Sequence, residues 1–303
     1  MLTGLNIAVI GGDARQLEVI RKLAELDAKL WLVGFEQLDH GFTGTNKTKL
    51  EEVDLSIIHA IILPVSGTSL NGQVDTIFSN EEIKLTAEIL ARTSDDCVIY
   101  SGISNAYLNK VTKEANRKLI QLFDRDDVAI YNSIPTAEGT IMMVIQHTDF
   151  TIHGSNVTVL GLGRVGMSVA RTFAGLGAKV KTGARKSAHL ARISEMGLTA
   201  FHLENLKEEA ADTDVMINTI PYQILTADVI SNMLPHSLII DLASKPGGTD
   251  FAYAEKRGIK ALLAPGLPGI VAPKTAGQII ANVLSQLLHS QLEKGGSLNE
   301  NEK

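Results

Sequence analysis

A single cysteine, Cys97, stands in a chain of 303 residues. An internal disulfide is therefore excluded, which fits a reducing compartment. The chain also lacks a basic excess: 28 Lys and Arg face 34 Asp and Glu, a formal charge of -6. Duplex-DNA binders carry a basic stripe, so nucleic acid is not an expected partner. There is no apolar run approaching the roughly 18 residues that a membrane span needs. The opening MLTGLNIAVIGGD has no basic stretch, and its apolar run breaks at Gly11-Gly12, so no leader peptide is expected. A cytoplasmic protein without membrane contact is the expectation. Reactive patterns are scarce as well. The 8 histidines are scattered, none with zinc-type spacing, and no G-x-S-x-G elbow occurs. No metal is expected. Residues 264–274 contain no histidine, which argues against a 2-hydroxyacid dehydrogenase with an imidazole acid/base there. Cys97 opens an apolar strand and reads as core.

Glycine is plentiful, at 26 residues, and it marks an internal echo. LNIAVIGG (5–12) and NVTVLGLG (156–163) are both apolar runs ending in glycines. Helical apolar spacing follows each, at Leu17, Ile20, Leu23, Ala24 and Leu26, and at Val165, Val169, Phe173 and Leu176. A second apolar run closes each unit, at 28–35 and 178–184. Strand, glycine turn, helix, strand is a βαβ unit. Further runs predict buried strands at 54–65, 96–102, 128–133, 214–220, 237–243 and 259–265, with helices at 80–94 and 249–258. At roughly 150 residues per domain the length suggests two domains. The expected class is α/β: two doubly wound parallel-sheet domains, the second a Rossmann dinucleotide-binding domain. We expect an N-terminal catalytic or substrate domain over 1–135, then a crossover helix and nucleotide domain over 136–272. A helix at 273–290 is expected to pack back on the first domain, and a polar tail, 291–303, to be disordered.

The strongest local pattern is GLGRVG, which follows a strand and opens a helix. Gly161 permits the tight turn, Gly163 lets backbone approach a pyrophosphate, and Gly166 lets helix pack on strand. Arg164 and Val165 begin that helix, whose N-terminus attracts an anion. The next strand ends VKTGARKS, with no carboxylate to bind a ribose diol. Ala184 leaves room there, and Arg185 and Lys186 offer cations to a 2'-phosphate. This favours NADP over NAD; a solvated basic turn is the alternative. Later strand ends place Thr219 and Pro221, then Asp241, Ala243 and Lys245, toward the same cofactor, or in ordinary turns.

In the first half, Gly11 and Gly12 with the following helix form a candidate anion nest. Arg15 is placed for a substrate carboxylate, while Asp13 either lines that site or caps the helix. Hydroxyls at Ser66, Thr68 and Ser104 lie at further strand ends. Thr136 and Glu138 are expected at the start of the crossover helix, facing an interdomain cleft. Glu138 is the best-placed carboxylate for proton transfer, or else it stabilises that helix start.

Together NSIPTAEGTI, TIHGSNVTVLGLGRVG, VKTGARK, DLASKPGGTDF and APGLPGIVAPKTAG resemble the family of the dipicolinate synthase A subunit, over nearly the whole chain from IAVIGGD to about residue 290. More loosely, the architecture is similar to formate/glycerate dehydrogenase-type and S-adenosylhomocysteine hydrolase-type enzymes. The resemblance implies oxidation of a dihydrodipicolinate, or of its hydrated form after loss of water, to pyridine-2,6-dicarboxylate. Hydride would pass to NADP+, with Glu138 or a water it holds taking the proton. Arg15 with the Gly11-Gly12 nest, Ser66, Thr68 and Ser104 would bind the dicarboxylate. The resemblance also implies three things about surroundings: the flavoprotein-like B subunit of dipicolinate synthase for a partner, the mother-cell cytoplasm for a location, and a homo-oligomer. Two other readings stay open. One is a nucleotide-binding structural role that organises the B subunit, and the other is a dehydrogenase of a different small carboxylate.

Overall fold

The computed structural model describes residues 1–39 and 41–299. These fall into two compact units, Met1–Val128 with the chain from Pro273 onward, and Ala129–Ala272.

In the first unit, β1 (Asn6–Ile10), α1 (Ala14–Glu25), β2 (Lys29–Val33), β3 (Thr45–Thr48) and β4 (Ala60–Ile62) are followed by β5 (Gln73–Val74) and β6 (Ile83–Lys84). Then come α2 (Ala87–Ala91), β7 (Val98–Ser101), α3 (Ala106–Glu114) and β8 (Lys118–Gln121). The sheet order is β3-β2-β1-β4-β7-β8, with β1 parallel to both β2 and β4. The apolar strands are covered on both faces, and Ile7, Val9, Leu30, Leu32 and Ala60 have no exposed surface. β5 and β6 pair antiparallel with each other.

The long helix α4 (Asp126–His147) leads into the second unit. There β9 (Asn156–Leu160), α5 (Arg164–Gly175), β10 (Lys179–Ala184), α6 (Ser187–Glu195) and β11 (Thr199–His202) come first. They are followed by α7 (Leu206–Glu209), β12 (Val215–Asn218), α8 (Ala227–Ile230), β13 (Leu238–Asp241), α9 (Phe251–Lys256), β14 (Lys260–Leu263) and α10 (Leu267–Val271). The order β11-β10-β9-β12-β13-β14 repeats that of the first sheet. In each sheet the strand order reverses beside the first strand, at β1/β4 and at β9/β12, and open α/β sheets bind ligands outside the strand ends there.

The final helix, α11 (Pro273–Asn299), belongs to the first unit. Val19, Ile20 and Leu23 of α1 share a core with Ile280, Ala281, Leu284 and Leu288 of α11. Each fully buried Val, Ile or Leu side chain there contributes on the order of 2 kcal/mol. Gly277 makes the contact close, because a Cβ on it would lie 2.5 Å from the Arg15 carbonyl oxygen. Arg117 fastens the far end of the unit. Its guanidinium donates to the carbonyls of Ala91, Thr93, Ala115 and Asn116 and to the Thr93 hydroxyl, placing a cation at the C-terminal ends of α2 and α3.

The elements depart from expectation at several places. Residues 128–133 are helix, not strand: α4 starts at Asp126, with Asp126 and Asp127 in its first turn and Pro135 inside it. The sixth strand is β8 instead. The helix expected at 80–94 shortens to α2, capped by the Thr86 hydroxyl, with β6 before it. β3 is a polar edge strand, TNKT, whose residues carry no apolar signal. The tail expected to be disordered from 291 is helical as far as Asn299, and 300–303 lie outside the described residues.

Candidate functional site

The glycine turn of the second unit separates three roles. Gly161 has φ +96°, and a Cβ there would lie 2.7 Å from Thr219 Oγ1. A Cβ on Gly166 would overlap the Gly161 carbonyl oxygen at 2.1 Å, so α5 rests directly on the turn. Gly163 caps α5 without a side-chain acceptor, and a Cβ on it would meet nothing within 4 Å. Among the described residues nothing accepts a hydrogen bond from the N–H groups of Val165 or Gly166. An open helix N-terminus with unengaged donors suits a phosphate; Arg164 is exposed at its mouth.

The end of β10 lies beside it. Ala184 is buried, Arg185 and Lys186 are exposed, and Lys186 precedes α6 with no side-chain cap bond. His202, closing β11 opposite Ala184, brings Nε2 within 3.1 Å of the Arg185 carbonyl oxygen. Sequence reading missed this histidine, because strand register decides its place.

Loops after β12 and β13 complete this edge. Thr219 donates its hydroxyl to Leu160 O at 2.7 Å, and Pro221 and Lys245 are exposed. Asp241 corrects the expectation of a direct cofactor contact. It is fully buried, and its carboxylate accepts from Asn218, Ala243, Gly248 and Thr249. Ala243 is buried too, so both hold loops rather than face a ligand. Asn218 was legible in hindsight as the one amide at the end of a wholly buried strand.

The first unit presents a closed counterpart. The N–H of Gly11 donates to Val33 O and that of Gly12 to Asp75 O, both at 2.8 Å. A Cβ on Gly11 would lie 2.6 Å from Asp75 O. Residues 75–77 therefore lie over the end of β1, with Ile77 N–H returning to Gly12 O. The expected anion nest, including Gly12, is filled by the chain itself. Asp13 caps α1, accepting from the Arg15 N–H and from its guanidinium. Burial alone would raise the Asp13 carboxyl, but the hydrogen bonds and charge of Arg15 hold it below its usual value.

Ser66, Thr68 and Ser104 do come to neighbouring loops, after β4 and β7. Ile103 N–H donates to Val65 O, and Asn105, the cap of α3, donates to Thr68 O. Ser66 is exposed, Ser104 pairs with Asn109, and Thr68 Oγ1 is buried with no partner among the described residues. On α4, Glu138 is exposed but lies in the middle of the helix, not at its start. The Thr136 hydroxyl donates to Asn132 O within that helix. Burial pushes the Cys97 thiol up to about 11, leaving it unreactive. No helix of the described residues is long and apolar enough to cross a membrane.

Known proteins divide this chain near the same point. Residues 6–123 match the family of the N-terminal domain of the dipicolinate synthase A subunit, and residues 129–303 match alanine dehydrogenase/PNT, C-terminal domain. The dipicolinate synthase A subunit of Bacillus subtilis (strain 168) is 67% identical over 296 residues, spanning 97% of this chain and 100% of that protein. The solved dipicolinate synthase A subunit from Bacillus halodurans is 66% identical with TM-score 0.94, covering 95% of this chain and 99% of that one. A transhydrogenase from Sinorhizobium meliloti, at 15% identity and TM-score 0.69 over 94% of both chains, shares the fold alone. The two-domain α/β architecture with a Rossmann-type second domain is as the sequence predicts. That second domain is of an oxidoreductase type and implies a nicotinamide cofactor.

Proposed function

The chain belongs to the family of the dipicolinate synthase A subunit, and on that premise we propose that it oxidises a dihydrodipicolinate-type precursor to pyridine-2,6-dicarboxylate with NADP+. A hydride leaves a ring carbon for NADP+ and a proton is lost, giving the aromatic dicarboxylate, NADPH and H+. A hydrated precursor would first lose water. The observation that carries this reading is the open α5 terminus beside a β10 end that has two exposed cations and no carboxylate. The first feature suits the pyrophosphate, the second a 2'-phosphate.

The residues take these roles in the reading. The turn from Gly161 to Gly166, with Ala184, Arg185 and Lys186, holds the nucleotide, and Thr219, Pro221 and Lys245 border it. Ser66, Thr68 and Ser104 offer hydroxyls to the dicarboxylate, and Arg15 would exchange Asp13 for a substrate carboxylate. Glu138, or a water on it, takes the proton; Thr136, its hydroxyl proton already engaged, would act only as an acceptor. The relative's name designates one subunit, which supports a second; we read that partner as the flavoprotein-like B subunit. Exposed Ile130, Tyr131, Ile134 and Ile145 on α4 support association with further copies. The mother-cell cytoplasm during sporulation is the location consistent with this product.

The test adds freshly generated precursor to the purified chain with NADP+ in one reaction and NAD+ in a parallel one, and follows reduced nucleotide in each. Formation of NADPH faster than NADH is the expected result. The engagement of Asp13 with Arg15 favours a second reading, a nucleotide-binding structural role in support of the B subunit. Nucleotide reduction by that partner alone, with none by this chain, would establish it. Turnover of a 2-hydroxy acid in place of the precursor would instead select that dehydrogenase class.

A further inference from the structure

Asn218 and Asp241 close β12 and β13 opposite each other in register, and neither has exposed surface. Asp241 Oδ1 accepts from Asn218 Nδ2 and from Ala243 N–H, both at 3.0 Å. Oδ2 accepts from Gly248 N–H at 2.7 Å and from the Thr249 hydroxyl at 2.6 Å. All these donors are neutral, so the carboxylate is held by dipoles alone. Asn218 reaches onward, with Nδ2 donating to Ile220 O at 3.1 Å and Oδ1 accepting from Ile220 N–H at 3.0 Å. Gly248 O accepts from the N–H groups of Ile224 and Leu225, both at 2.9 Å. A Cβ on Gly248 would lie 2.4 Å from Tyr222 O. Thr219 then ties to Leu160, the residue before Gly161, through its N–H and its hydroxyl. One buried carboxylate thus links the loop after β13 to the loop after β12, and through it to the phosphate turn.

We propose that Asp241 is a positioning residue for the nicotinamide half of the cofactor, an inference that rests on the nucleotide-binding reading above. The pyrophosphate belongs at the α5 terminus and the adenosine ribose at the end of β10, so the other half of a dinucleotide extends over β12 and β13. Those are the strands whose loops Asp241 joins. An uncharged amide cannot replace it, since its NH2 group would face an N–H or O–H donor.

The experiment measures binding of NADP+ and, separately, of adenosine 2',5'-bisphosphate, which carries only the adenosine half. For Asp241→Asn the expected result is a loss of about tenfold or more for NADP+, the size of one disrupted charged hydrogen bond, with the bisphosphate unchanged. Thr249→Val removes a single donor and is expected to lose several-fold affinity with the same selectivity. It decides the matter alone should Asp241→Asn fail to fold. Equal losses for both ligands, or no loss for either, overturn the proposal. A wild-type chain that prefers NAD+ corrects the NADP reading and moves the same comparison to NAD+ and ADP, leaving the Asp241 expectation intact. A wild-type chain that binds neither dinucleotide overturns both.

Discussion

Arg15 grips Asp13 across the first turn of α1, its Nη2 2.6 Å from Oδ2 while its Nε and N–H both reach Oδ1 at 2.9 Å. The carboxylate does for α1 what a bound phosphate does at an open helix terminus, satisfying donors and complementing the dipole.

Asp13→Ala should therefore cost about 1 kcal/mol at neutral pH, the ordinary value of a helix cap, with little added for the partly exposed ion pair. The net effect on Asp13 is a lowered carboxyl. A group held below its unfolded value stabilises at neutral pH and loses that contribution as the medium turns acid. The gap to wild type should be widest above about pH 5 and narrow below roughly pH 4. Urea unfolding at both ends of that range checks it, and a gap constant with pH would leave the cap without an ionic part.

Gly163 and Gly166 should respond oppositely to alanine. Gly166→Ala sets a methyl 2.1 Å from a backbone oxygen and should destabilise the second unit by about 1–3 kcal/mol or more. Gly163→Ala places its methyl in open space, so the fold should survive while nucleotide affinity falls. Thermal melts beside a binding titration separate the two; an unaffected affinity in Gly163→Ala would move the nucleotide elsewhere.

Arg185→Asp tests the cofactor preference. Removing the cation and adding a charge of the phosphate's own sign should weaken NADP(H) at least about tenfold more than NAD(H). Equal losses would end the 2'-phosphate role of Arg185.

Arg117→Ala should destabilise the first unit by roughly 2–3 kcal/mol, because several helix-end carbonyls lose a charged donor together. Arg117→Lys should recover only part, as an ammonium cannot reach both helix ends with one planar fork. Full recovery in a denaturant titration would show that charge alone matters.

The second unit was largely readable because its signals are local. GLGRVG, the strands around it and the missing carboxylate after β10 lie within one βαβ stretch, and the geometry at Gly161 and Gly166 follows from their neighbours. The first unit misled where distant residues decide. Gly11 and Gly12 carry the look of an anion nest, but their donors are taken by Val33 and by Asp75, far along the chain. Asp241 was placed at the correct strand end, yet its partners lie on the end of β12 and on the loop after β13, whose pairing no periodicity reveals. The run at 128–133 is β-branched and aromatic enough to read as a strand; the acidic pair before it was the overlooked helix start.

The segment over β1 also changes how the two units answer to their surroundings. Gly12 and Asp75 are joined through the same chain, so the first unit carries its occupant at a concentration that dilution cannot alter. On the proposed nucleotide-binding role, the second unit, with α5 open, is stabilised by mass action, by an increment that rises with the logarithm of the free dinucleotide once the site is filled. Under the nucleotide-binding reading, added cofactor should raise the unfolding temperature of residues 129–272 selectively. Resistance to proteolysis there would then report the supply of cofactor, while the first unit stays indifferent to it.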